Sequence, residues 1–150
     1  MIGSVRAVQA SLIRSATLNV TPATGTYANA QTVTLTIYED SGNYPVNVIE
    51  SDLIYDDTYL TFGSIDTSSG AFSVSAVATG SNGLVNIVVG STGTVTGSQI
   101  VATVTFTAIG PINLTSIKLA STCGIVRSSD NRNIWNSNVT DAVASYSFTS

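Results

Sequence analysis

From residue 17 onward, apolar and polar positions alternate with period two, and turn-forming residues break the alternation about every eight to twelve positions. "TVTLTIY" (32–38) places Val33, Leu35 and Ile37 on one face and threonines on the other. "VNVIESDLIY" (46–55) sets Ile49, Leu53 and Tyr55 against Glu50 and Asp52. After a very short connection comes "YLTFGSI" (59–65). "AFSVSAVA" (71–78) and "LVNIVV" (84–89) flank "TGSNG", whose Asn82-Gly83 pair suits the positive φ angles of a tight hairpin. "QIVATVTFTA" (99–108) lines up Ile100, Ala102, Val104 and Phe106, and "INLTSIKLA" (112–120) and "VASYSFT" (143–149) complete the set. Short strands at this spacing, without sustained helical periodicity, predict an all-β chain folded as a two-sheet β-sandwich.

Three stretches depart from the pattern. In residues 1–16, Val5, Val8 and Leu12 share a helical face but serve equally in an extended arm, together with Ile13, laid on a neighbour. The expected organisation is an N-terminal arm or leader over 1–16 and one sandwich domain over 17–150. Glycine-rich "GSTGTVTGS" (90–98) reads as an exposed loop. The longest irregular stretch, 121–141, holds the one tryptophan, Trp135.

Composition narrows the function. Only 9% of the 150 residues are charged, against about a quarter in an ordinary soluble domain. Low charge with positive mean hydropathy suits a protein outside the cell, or one packed among copies of itself. A net charge of -4 with five scattered basic residues offers nothing to neutralise a run of phosphates, so nucleic acid is not an expected partner. No run approaches the roughly 18 apolar residues that cross a bilayer, which excludes membrane insertion by a helix. "MIGSVRAVQASLIRSA" does not read as a secretion signal, because Arg6 and Arg14 interrupt it. The chain has no histidine, which removes the commonest general base and metal ligand together. Cys123 stands alone and is expected to be a buried, inert thiol.

The acids concentrate in "ESDLIYDDTYLTF" (50–62), with Glu50, Asp52, Asp56 and Asp57 in eight positions. Asp56 and Asp57 read as the turn that reverses a strand, where aspartate bonds nearby backbone amides. A glycosidase pair needs carboxylates facing across a cleft, which adjacent aspartates do not provide. Calcium, a hard cation bound by oxygens, is the alternative occupant of this turn, and no other cofactor is expected. Glu39-Asp40 before "SGN" reads as a second solvated turn. Glu50 and Asp52 form either a solvated outer face or the acidic rim of a partner-binding sheet. Trp135 either caps the core from its loop or stands out as an anchor for a partner or sugar.

In "SDLIYDDTYLTF", a strand runs into a Tyr-Asp turn and then a leucine. "GSQIVATVTFTA" follows a glycine turn with a strand carrying a core phenylalanine. "VRSSDNRNIWNSNVTDAVASYSF" closes the chain with a polar loop and a last strand. In this order the three stretches resemble the cohesin family over about residues 17–149. The resemblance implies a flattened sandwich of about nine strands with jelly-roll topology, a non-enzymatic role, and protein modules called dockerins as partners.

The expected function is non-enzymatic and structural: a subunit in protein–protein assembly, coating or cementing a virion, or building a surface layer or filament. A cohesin-type module binding a dockerin-like partner in an extracellular scaffold is the alternative, and a carbohydrate-binding or adhesion module the second. The expected partner-binding residues are Val5, Val8, Leu12, Ile13, Glu50, Asp52 and Trp135. The expected partner is a protein or copies of the chain in an oligomer or lattice, and the expected location is extracellular, the cell surface or the virion.

Overall fold

In the computed structural model, the structure describes residues 14–137 and 141–150. These form twelve strands: β1 (Thr17–Thr21), β2 (Thr24–Ala28), β3 (Thr32–Asp40), β4 (Val46–Ile54), β5 (Leu60–Asp66), β6 (Val74–Ser81), β7 (Leu84–Val95), β8 (Ser98–Ala108), β9 (Ile112–Leu119), β10 (Gly124–Arg127), β11 (Arg132–Asn133) and β12 (Ala142–Thr149). No helix occurs among the described residues.

Two sheets face each other as a jelly-roll sandwich. The smaller has the order β1-β3-β8-β5 and is antiparallel throughout. Its alternation is the reason it forms. Val33, Leu35 and Ile37 of β3 and Ala102, Val104 and Phe106 of β8 point inward and are fully buried. On the outer face, Thr32, Thr34 and Thr36 pair in register with Thr107, Thr105 and Thr103. Such β-branched cross-strand pairs favour the pleated surface. The larger sheet runs β11-β10-β4-β9-β12-β2, with β7 on the other edge of β4 and β6 beyond it. β12 and β2 are its parallel pair. Ile49 and Leu53, then Val85, Ile87 and Val89, then Ile117 and Tyr146 close the core from this side. Tyr55 meets Phe106 of the opposite sheet edge-on, with ring centroids 4.9 Å apart.

The predicted hairpin is present: Asn82 and Gly83 both take positive φ, 54° and 83°, and join β6 to β7. The predicted turn after Tyr55 is present too, with Asp56 Oδ1 accepting from the Thr58 amide at 2.9 Å. Other expectations are corrected. The glycine-rich segment 90–98 is mostly strand: β7 continues to Val95, which pairs with Val46 and packs on the core, and β8 resumes at Ser98. Segment 121–141 contributes β10 and β11 and buries Ile125 and Ile134 completely. The packed domain starts before residue 17. Ala16 is fully buried, donates its amide to Ile134 O at 3.0 Å and accepts from the Asn136 amide at 2.7 Å.

Glu39 does not sit in a solvated turn. Asp40 does, with the Gly42 amide donating to its Oδ1 at 2.9 Å. But Glu39 keeps the inward phase of Val33, Leu35 and Ile37 and is 0% exposed. Neither carboxyl oxygen has a hydrogen-bond partner, and the Ser41 hydroxyl beside it lies outside bonding geometry. Burial, reinforced by the charge of Asp40 and only partly offset by Ser41, pushes its pKa up to about 8.

Candidate functional site

The outer face of the larger sheet departs most from an ordinary solvated surface. β4 carries Val48, Glu50, Asp52 and Ile54 there. Register fixes their neighbours, since paired residues of an antiparallel ladder point to the same side. Val48 lies between Gly90 of β7 and Val126 of β10. Glu50 lies between Val88 and Gly124, Asp52 opposite Asn86, and Ile54 between Leu84 and Lys118 of β9. From β6, Val77 stands beside Val88, and Val74 beside Gly90. Among the described residues five large hydrophobics are exposed, and three of them, Ile54, Leu84 and Val74, sit on this face at 43–49% exposure. An acidic pair thus lies between apolar rows, with Asn86 and Thr79 as its polar neighbours across the ladder.

The two acids differ. Asp52 is only 2% exposed, because the chain between β9 and β10 folds over it. Thr122 Oγ1 donates to Asp52 Oδ2 at 2.5 Å, and the Asp52 amide donates to Cys123 Sγ at 3.1 Å. A plain solvated face is therefore wrong for Asp52. Asp52 Oδ1 has no partner, nor has Oδ1 of Asn86 across the ladder. Glu50 is half-buried. Its carboxyl is pushed up to about 7, first by the hydrogen bond it shares with Asp52, then by burial and by the Asp52 charge. Cys123 is a buried free thiol, pushed up to about 11 mainly by burial. Its S–H donates to Asp52 O at 3.4 Å.

The other predicted site residues lie elsewhere. Trp135 is 3% exposed and caps the core beside Ala16, so it is no exposed anchor. Val5, Val8, Leu12 and Ile13 lie outside the described residues. Among the described residues no group of three or more His, Cys, Asp or Glu side chains is gathered as a metal site, and Asp56 is occupied with its own turn. The sequence reading missed the apolar rows themselves. Their signal was present: Val48 and Ile54 occupy the polar phase of β4, and "IVV" in β7 is apolar in both phases, the mark of a strand covered on both sides.

No protein-family model matches the sequence, and no curated protein matches it. Solved structures do match. The cohesin module of a Clostridium perfringens family 33 glycoside hydrolase superposes with a TM-score of 0.70 at 14% identity, over 93% of this chain and 98% of that one. In fold, this is a cohesin-like domain. The CaCohA2 cohesin of Clostridium acetobutylicum gives 0.69 at 16% identity, over 91% and 92% of the two chains. The third ScaB cohesin of Ruminococcus flavefaciens, solved in complex with a group 1 dockerin, gives 0.69 at 15%, over 91% and 96%. The described residues form twelve strands where about nine were expected, and β10 and β11 are the shortest of them, with four and two residues.

Proposed function

We propose that the chain is a non-enzymatic protein–protein interaction module that receives its partner on the outer face formed by β6, β7, β4 and β10. The carrying observation is that three of the five exposed large hydrophobics among the described residues lie on this one face, Ile54 and Leu84 at one end and Val74 at the other, with Glu50 and Asp52 between them. Large apolar side chains exposed together on one sheet face are costly to leave in water and mark a surface that meets a partner. The cohesin-like fold supports the same reading, since the ScaB cohesin was solved with a dockerin. The partner proposed is a dockerin-like protein module, and the setting an extracellular or cell-surface one, which the low charge suits. The other reading, a coat or cement subunit of a virion or lattice, leans on the N-terminal arm, whose residues 1–13 lie outside the described part of the chain.

Calorimetric titration of the full chain with a panel of dockerin modules tests this, alongside light scattering of the chain alone. A 1:1 complex that is lost in Ile54→Asp and Leu84→Asp supports the proposal. A chain that binds no module and forms a multimer untouched by both substitutions overturns it.

A further inference from the structure

Independently of the docking face proposed above, we infer that the outer face of the smaller sheet is a second binding surface, and that the threonine rows of β3 and β8 fit it to the surface of ice.

The rows follow from register. On the outer side of the sheet, Thr32 of β3 stands opposite Thr107 of β8, Thr34 opposite Thr105, and Thr36 opposite Thr103. No register shift interrupts these pairs; the irregularity of this ladder comes later, between Ile37 and Tyr38. β5 extends the first two rows with Thr61 and Ser64, and β1 extends the third with Thr21. The first two rows hold no charged side chain, and Asp66 closes the third beside Thr103. Ser64 and Thr105 bond to each other through their hydroxyls at 2.6 Å. Among the described residues the other hydroxyls of this grid have no partner inside the chain, and all of them are exposed or half-buried.

Strand propensity alone does not ask for this. Valine, isoleucine and tyrosine suit a pleated face as well as threonine does, and the outer face of the larger sheet mixes Val48, Glu50, Asp52, Ile54 and Lys118. An ordinary solvated face intersperses charges of both signs. Here segments far apart in the chain, 32–36, 61–64 and 103–107, bring hydroxyls to the same uncharged rows. Threonine joins a hydroxyl, which both donates and accepts as a lattice water does, to a methyl that displaces mobile water. Its branched Cβ restricts the rotamer, so the hydroxyls are held in place beforehand. The sheet sets the repeat. Along each strand the hydroxyls recur every second residue, about 6.8 Å apart, and across the ladder at every strand, about 4.8 Å apart. These lengths lie near the two oxygen repeats on a prism face of hexagonal ice, whereas a soluble protein or glycan offers no such two-dimensional repeat. Sheet twist turns each strand against the next, so the match is local to the central rows.

Partition into slowly growing ice tests this, with the full chain labelled on its amines and ice grown on a cooled probe in dilute solution. The wild type is expected to enter the ice, and ice crystals in its solution to grow with facets rather than as rounded discs. Thr34→Lys and Thr103→Lys, each placing a long charged side chain in one row, should lose both effects while circular dichroism shows the parent's fold. Thr34→Val keeps the branched shape without the hydroxyl and should weaken both effects. Ile54→Asp, on the opposite outer face, should change neither, which keeps this test separate from the calorimetric titration of the docking face. Exclusion of the wild type from ice to the same extent as an unrelated soluble protein overturns the inference. Entry that persists in both lysine variants, or that is lost equally in Ile54→Asp, overturns it as well.

Discussion

Replacing Glu39 with glutamine removes an ionisable group from the core while keeping nearly the shape of the neutral acid. The folded chain holds this carboxyl at about 8, against the ordinary glutamate value of 4.5. Between those values the native state binds more proton than the unfolded chain, and stability falls as pH rises. The contribution is whole below about 4.5 and is lost as pH climbs through about 8. At about 1.4 kcal/mol per pH unit, the full window is worth about 5 kcal/mol. Glu39 lies one residue from the end of β3, where a small relaxation admits water, so about 2–5 kcal/mol is the working range. Urea unfolding followed by the fluorescence of Trp135, the one tryptophan and a buried one, measures it. At pH 4 Glu39→Gln and the parent should differ by less than about 1 kcal/mol. At pH 9 the variant should be the more stable by about 2–5 kcal/mol. Glu50 titrates in both proteins and cancels from the comparison. Parallel pH profiles, or a parent that is the more stable at pH 9, would refute the buried neutral carboxyl.

Other perturbations read other parts of the sandwich. Tyr146→Phe removes the hydroxyl that donates to Pro22 O at 2.7 Å, and should cost about 1–2 kcal/mol in the same urea assay with no change of fold by circular dichroism. Phe72, fully buried although it precedes β6, should cost about 3–5 kcal/mol when cut to alanine; a loss below 1 kcal/mol would mean that the segment before β6 does not seal the core. Cys123 should resist thiol reagents at pH 8 in the native chain and react stoichiometrically in urea, because it is buried and held well above the assay pH.

The strands legible in the sequence are those whose alternation is long enough to speak for itself: β3 keeps strict phase throughout, and β4 and β8 each carry several inward residues on either side of a register shift. Asn82-Gly83 and Asp56 were legible because their turn chemistry is local. Glu39 was not. Its phase places it inward behind Ile37, yet a carboxylate before Asp-Ser-Gly reads as the start of a turn, and phase prevailed over residue type. β2, β10 and β11 have little pattern of their own and exist because β12 and β4 offer them edges. The candidate site was half legible. Glu50 and Asp52 could be placed on an outer face from β4 alone, but the burial of Asp52 comes from Thr122 and Cys123, some seventy residues on. No local pattern carries such a contact. Likewise the apolar rows depend on the register of β4 against β7, which only the folded ladder fixes.

The placing of the first and last strands bears on how the domain carries load. Thr17 pairs with Asp40 at the finish of β3, whereas Thr149 accepts from Asn29, just ahead of its start. The entering and leaving chain are thus separated by about the length of a nine-residue strand, about 30 Å. Tension between those points runs along β1 and β12 rather than across them. The rungs joining β1 to β3, and β12 to β9 and β2, are strained together in shear and cannot open one after another like a zip.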